Sequence, residues 1–129
     1  MHRLQWVLVR LWASPYTLLG MMIGILLRGK VNHVDGVIEI HGVGVAWVLK
    51  RLPVAAIAIT LGHCVLGQTQ QGLDITRRHE RVHVKQYERW GFAMGIAYLT
   101  ASAWMWLRGK DAYRDNPFEV EAFSVDDLE

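Results

Sequence analysis

RRHERVHVKQYERW, residues 77–90, decides how this chain is read. It holds two histidines four positions apart, with a glutamate directly after the first. On a helix, residues i and i+4 share a face, so His79 and His83 project side by side. Their ring nitrogens can then both reach one zinc ion at about 2.0–2.1 Å. Glu80 is rotated about 100° from His79, off the ligand face but within reach of a water on the metal. H-E-x-x-H thus presents two ligands and a general base on a single helical turn. Zn²⁺ is the expected cofactor, and Glu80 the expected catalytic base.

The same stretch carries a basic stripe, because Arg77, Arg81, Lys85 and Arg89 recur every four residues. Such a stripe is ordinarily solvated, and beside a membrane it also favours anionic lipid. The histidines lie on a different face, with Val82, Gln86, Tyr87 and Trp90, which is mostly apolar and suited to burial. Buried imidazoles need partners for their nitrogens, and one metal ion serves both. Asp74 or Thr76 is expected to cap this helix and Gly91 to end it.

An open zinc site takes three protein ligands and leaves the fourth position to water. Downstream, NPFEVEAF (116–123) puts Glu119 and Glu121 near the start of a helix capped by Asn116 and opened by Pro117. Here the chain resembles the gluzincin branch of the zincin metallopeptidases, which pair HExxH with a glutamate from a later helix, often in an E-x-E-A stretch. The compact length is similar to that of minimal gluzincins. The resemblance implies Glu119 as the third metal ligand, with Glu121 as the fallback, and a peptide or protein as substrate. Gln86 and Arg89 stand where the metzincin motif requires glycine and histidine. Phe123 stands where many gluzincins carry an aspartate behind a ligating histidine, so Asp115, Asp126 or a backbone carbonyl is left for that task. Tyr113, His63 and Tyr87 are the candidates for stabilising an oxyanion.

Between the two ligand segments lies FAMGIAYLTASAWMWL, an apolar helix over 92–107. It covers about 24 Å, while His79 to Trp90 rises about 17 Å. Folding back at Gly91 brings the chain past His79 again, and the polar turn at 108–116 can deliver the acid to the metal. If 92–107 crossed a bilayer, Glu119 would lie on the opposite side from the histidines. The zinc reading therefore makes 92–107 a packing helix, with room to rest on a membrane.

Upstream, GVIEIHG (36–42) alternates between glycines as a strand does, and the zincin resemblance implies that it offers an edge to an extended peptide. Residues 45–52 suit a short helix stopped by Pro53, and 55–67 reads as a second, more buried strand. His63 or Cys64 is a candidate fourth ligand that would close the site, although Cys64 also suits a small buried apolar position. His33 and His41 read as loop and strand-surface residues. Ser14-Pro15 looks like a helix start leading into YTLLGMMIGILL. Residues 15–28 would span about 21 Å, short of a hydrocarbon core of about 30 Å. Adding residues 4–14, with a kink at Pro15, makes the segment long enough to anchor in a membrane.

Composition agrees with membrane contact. Of 129 residues, 52% are hydrophobic and only 20% charged, and mean hydropathy is +0.15. Trp6, Trp12, Trp104 and Trp106 lie in or beside the two most apolar stretches, and tryptophan favours membrane–water interfaces. A net charge of +2 without any nucleic-acid motif sets that class of partner aside. A single cysteine excludes an intrachain disulfide. Arg10 interrupts the first apolar run, which makes a poor cleavable leader.

The sequence thus predicts an α+β fold: a small β-sheet with the HExxH helix, a packing helix and a C-terminal glutamate helix. Residues 1–30 form an apolar helical segment and membrane anchor, and 31–129 a zincin-like metal-binding domain. The expected activity is zinc-dependent hydrolysis of a peptide bond by metal-activated water. The alternatives are a noncatalytic, zinc-stabilised membrane module and a metal-free protein that spans the membrane twice.

Overall fold

Ser14 and Pro15, expected to open a helix, lie in the middle of one. The computed structural model describes residues 2–52 and 56–126, so the expected stop at Pro53 and the first residue of the 55–67 stretch fall outside it. Helix α1 runs unbroken over Arg3–Leu26. Pro15 has no N–H for the carbonyl of Leu11, and the Ser14 hydroxyl donates to that oxygen instead at 2.7 Å. The serine read as a cap repairs the helix. Its true end is a Schellman closure: Arg28 takes φ 57, and the Gly29 N–H reaches Gly24 O at 2.8 Å.

The sheet has four strands, β1 (Lys30–Val34), β2 (Val37–His41), β3 (Ala58–Leu61) and β4 (Cys64–Gly67), in the order β1-β2-β4-β3. Only β2 and β4 pair in parallel. The stretch read as one strand over 55–67 is a hairpin. Gly62, with φ 63 at the first turn position, supplies the conformation a two-residue turn demands. Strand β1 was not anticipated; it pairs with β2 across Asp35-Gly36, both at positive φ. β2 therefore lies inside the sheet and has no free edge for a peptide, contrary to expectation. The edges are β1 and β3.

Alternation along the strands gives the sheet two cores. Ile40, Cys64 and Leu66 pack with α2 (Val43–Leu49) and the inner side of α1. Val37, Val65 and Ala58 pack with Leu73 and Val84 of α3 (Gln70–Trp90) on the other face. α3 begins earlier than read: Thr69 caps it by accepting from Gly72 N–H at 2.9 Å. Thr76 instead donates to Gly72 O within the helix, and Asp74 pairs with Arg77. The basic stripe is largely engaged. Arg77 and Arg81 both close on the buried Glu39 of β2 at 2.8 Å, and Arg89 pairs with Glu121.

Gly91 ends α3 with φ 53, where any side chain would run into the Trp12 ring. After one 3₁₀ turn at residues 91–93, α4 (Met94–Leu107) folds back. The expected packing helix packs along a single line. Met94 alone in it is buried, and Tyr98 and Ser102 complete that line by holding Asn116. The cap of α5 (Pro117–Ser124) is Asn116, as its sequence indicates: Oδ1 accepts from Phe118 N–H at 3.0 Å. Its amide nitrogen donates to Tyr98 O at 3.1 Å and Ser102 Oγ at 2.8 Å. One residue thus starts α5 and ties it to α4. Among the described residues, α1 alone is long and apolar enough to cross a membrane.

Candidate metal centre

α3 presents His79 and His83 one turn apart with their rings 5.2 Å from each other. α5 brings Glu119 against them: Oε1 lies 3.0 Å from His83 Nε2 and 3.5 Å from His79 Nε2. The three ligand atoms lie within 4.8 Å of one another, and the group can hold a metal ion. A tetrahedral ion with bonds of about 2.0–2.1 Å spaces its ligands about 3.3 Å apart. The two histidine–Glu119 separations bracket that spacing.

The outer nitrogens of both imidazoles are held. His79 Nδ1 lies 3.2 Å from Asp126 Oδ2, and His83 Nδ1 lies 2.8 Å from Gln86 Oε1. The Gln86 amide cannot be reversed, because its nitrogen already donates to Phe118 O at 2.9 Å and Glu121 Oε1 at 2.7 Å. Its oxygen therefore accepts from His83 Nδ1–H, which leaves Nε2 facing Glu119. Glu119 is fixed in the same way. Its Oε2 accepts from the Tyr98 hydroxyl at 2.6 Å, so Oε1 is the oxygen turned to the histidines.

Without a metal the cluster carries opposite charges. Burial, the largest influence on His83, opposes its protonation. The hydrogen bond to Glu119 and the charges of Glu80 and Glu119 outweigh it and hold the imidazole up to about 9. His79 is raised by the same balance, with Glu119, Glu80 and Asp126 overcoming burial. Burial also works against charge on Glu119, but hydrogen bonds from His79 and His83 bring its carboxyl down to about 2. A protonated histidine over a carboxylate is what a cation displaces when it binds.

Glu80 points to the sheet rather than to the ligand oxygen. Its Oε2 accepts from Thr60 Oγ on β3 at 2.9 Å. Burial dominates and raises its pKa, against the lowering pull of His83, His79 and Thr60. Glu80, both histidines and Glu119 line one cleft of about 520 Å³, walled by β3 and by Tyr98 and Leu99 of α4.

The other sequence candidates are sorted by position. Glu121 is half exposed between Gln86 and Arg89. His63 sits at the tip of the β3–β4 hairpin with Nε2 at 2.8 Å from Glu88, and Cys64 is buried against Gly20 of α1. Neither belongs to the ligand group, and burial pushes the Cys64 thiol up to about 12. Tyr113 and Tyr87 line the cleft; His63 does not. Asp115 accepts from Asp111 N–H and is not used by a histidine. At position 123 the phenylalanine ring packs on His79 at 4.7 Å, while Asp126 supplies the carboxylate. Gln86, Tyr98 and Thr60 were not assigned site roles from sequence. A glutamine on the buried histidine face was the one available signal. Comparison of the chain with family models, curated proteins and solved structures found no match.

Proposed function

We propose that this protein is a zinc-dependent, metallopeptidase-like hydrolase held at a membrane through α1. One observation carries the reading: two imidazole Nε2 atoms converge on one carboxylate oxygen while each Nδ1 is held from behind. Imidazole with carboxylate suits zinc, and the resemblance of HERVH and EVEA to gluzincins favours the same ion. Zinc bound by His79, His83 and Glu119 supplies Lewis acidity for a scissile carbonyl and lowers the pKa of a water toward about 7.

Glu80 takes a proton during attack and returns it to the leaving amine. A carboxyl raised by burial suits that exchange, and Thr60 holds Oε2 so that Oε1 is the oxygen available for the proton. Tyr113, whose phenol burial pushes up to about 12, stays protonated at neutral pH and can donate to developing negative charge. Among the described residues β3 pairs only with β4, and it lines the cleft, so its other edge is available to an extended chain. The largely apolar walls favour apolar side chains beside the scissile bond. For the membrane contact, α1 has the length and composition to anchor the chain.

The test is metal content and turnover together. Wild type is expected to hold about one zinc per chain, lost in Glu119→Ala and kept in Glu121→Ala, with peptide hydrolysis abolished in Glu80→Gln. No zinc in protein purified with zinc supplied removes the metal reading. Full zinc with peptide turnover equal to that of Glu80→Gln instead makes the chain a noncatalytic metal-stabilised module.

A further inference from the structure

The inner side of α1 follows the sheet for most of its length. Arg10 donates to Gly36 O at 3.1 Å, Thr17 accepts from His63 N–H at 2.9 Å, and Gly24 rests on Ile40. A helix that crosses a bilayer meets lipid or apolar protein for about 30 Å. Here crossing would carry both hairpin turns, with their open backbone polar groups, into hydrocarbon. The length of α1 permits a crossing; its packing does not.

The outer side is apolar and uncovered. Leu4, Leu8, Leu11, Leu18, Met22 and Ile25 form one exposed stripe. α4 continues it. Trp12 meets Phe92 edge-on at 5.5 Å, and the Tyr16 hydroxyl donates to Phe92 O at 2.8 Å while accepting from Gly95 N–H. Beyond that junction Ile96, Trp106 and Leu107 are exposed.

The two helices themselves carry no negative charge. Neither helix contains an acidic residue, and Arg28 follows α1 as Arg108 and Lys110 follow α4. Arg108 lies over Trp104 at 5.8 Å. Basic residues and tryptophans around an apolar face match an anionic bilayer interface. A second copy of the helix fits less well. Val7, Trp12, Leu19 and Leu26, which flank the stripe, are also apolar and exposed, whereas a helix-pairing seam is flanked by charges.

We infer that the protein seats on one leaflet of an anionic bilayer through α1 and α4 together, with α1 lying in the interface rather than crossing it. This rests on the membrane contact proposed above and is independent of the metal.

The test uses the full chain with vesicles of phosphatidylcholine and phosphatidylglycerol. In the double variant Gln5→Cys/Lys30→Cys, with the buried Cys64 left in place, a membrane-impermeant maleimide is counted per molecule by mass spectrometry. One-leaflet seating gives molecules with two labels or none, whatever their orientation. Molecules with a single label overturn it, because the ends of α1 then lie on opposite sides. Ile96→Glu/Trp106→Glu is expected to lower partitioning onto preformed vesicles by about tenfold or more, with zinc content unchanged. Partitioning equal to wild type overturns the role of α4. A wild-type chain that keeps its zinc and ignores vesicles removes the membrane reading itself, and a stable dimer that does so gives the surface to a second copy.

Discussion

Gln86 lies three residues beyond His83 on α3 and turns its amide oxygen onto His83 Nδ1 at 2.8 Å. Because its nitrogen is committed to Phe118 O and Glu121, the glutamine sets which nitrogen of His83 faces Glu119. It also joins α3 to the helix that carries Glu119. Gln86→Leu keeps much of the volume and removes both functions. Zinc affinity, measured by competition with a chelating dye, is expected to fall by about 10–100-fold.

The metal-free protein should have a defined pH window of stability. His83 is raised from 6.5 to about 9, so its contribution is full below 6.5 and lost as pH rises through about 9. Glu119 is lowered from 4.5 to about 2, so its contribution is full above 4.5 and lost as pH falls through about 2. Thermal unfolding in chelator should therefore peak between pH 4.5 and 6.5 as far as this pair is concerned. Glu119→Gln should flatten the decline toward pH 9. Zinc affinity should run the other way and strengthen up to about 9, since binding must displace the His83 proton. A Tm profile equally steep in Glu119→Gln would sink this account.

Thr60 reaches Glu80 from the edge strand, and its hydrogen bond is one of the influences holding the carboxyl pKa down. Thr60→Val should raise the Glu80 pKa further, read from the carbon-13 shift of its carboxyl. The acid limb of any hydrolytic pH profile should move upward with it. The cost to folding should be about 1 kcal/mol.

Glu39 is buried beneath two arginines, and Arg77 and Arg81 together hold its carboxyl below the ordinary range against the opposing effect of burial. Glu39→Gln keeps the shape but leaves both guanidinium groups facing a neutral amide. Chemical denaturation should show a loss of about 2–3 kcal/mol. Zinc content should be unchanged, because neither arginine touches the ligand group.

What the sequence determined by itself was local. Helical spacing puts His79 and His83 on one face, and Asn116-Pro117 starts α5, because both depend only on neighbours within one turn. The hairpin between β1 and β2 was legible in Asp35-Gly36, a strong turn signal between apolar residues, but went unread. Position 15 misled for a related reason: Ser-Pro is a common helix start, and only the hydrogen bond from Ser14 to Leu11 shows it operating inside a helix.

The tertiary structure alone decided the partners. Glu119 and Glu121 are two residues apart with the same chemistry, and the roll of α5 on α3 sends one to the histidines and the other to Arg89. Tyr98, Asp126 and Thr60 reach the site from 20 to 47 residues away. Periodicity and capping say nothing about contacts at that separation, because such contacts depend on how whole helices pack on the sheet. The same limit holds for α1: its apolar length is written in the chain, but whether it can cross a membrane depends on what lies against its inner face.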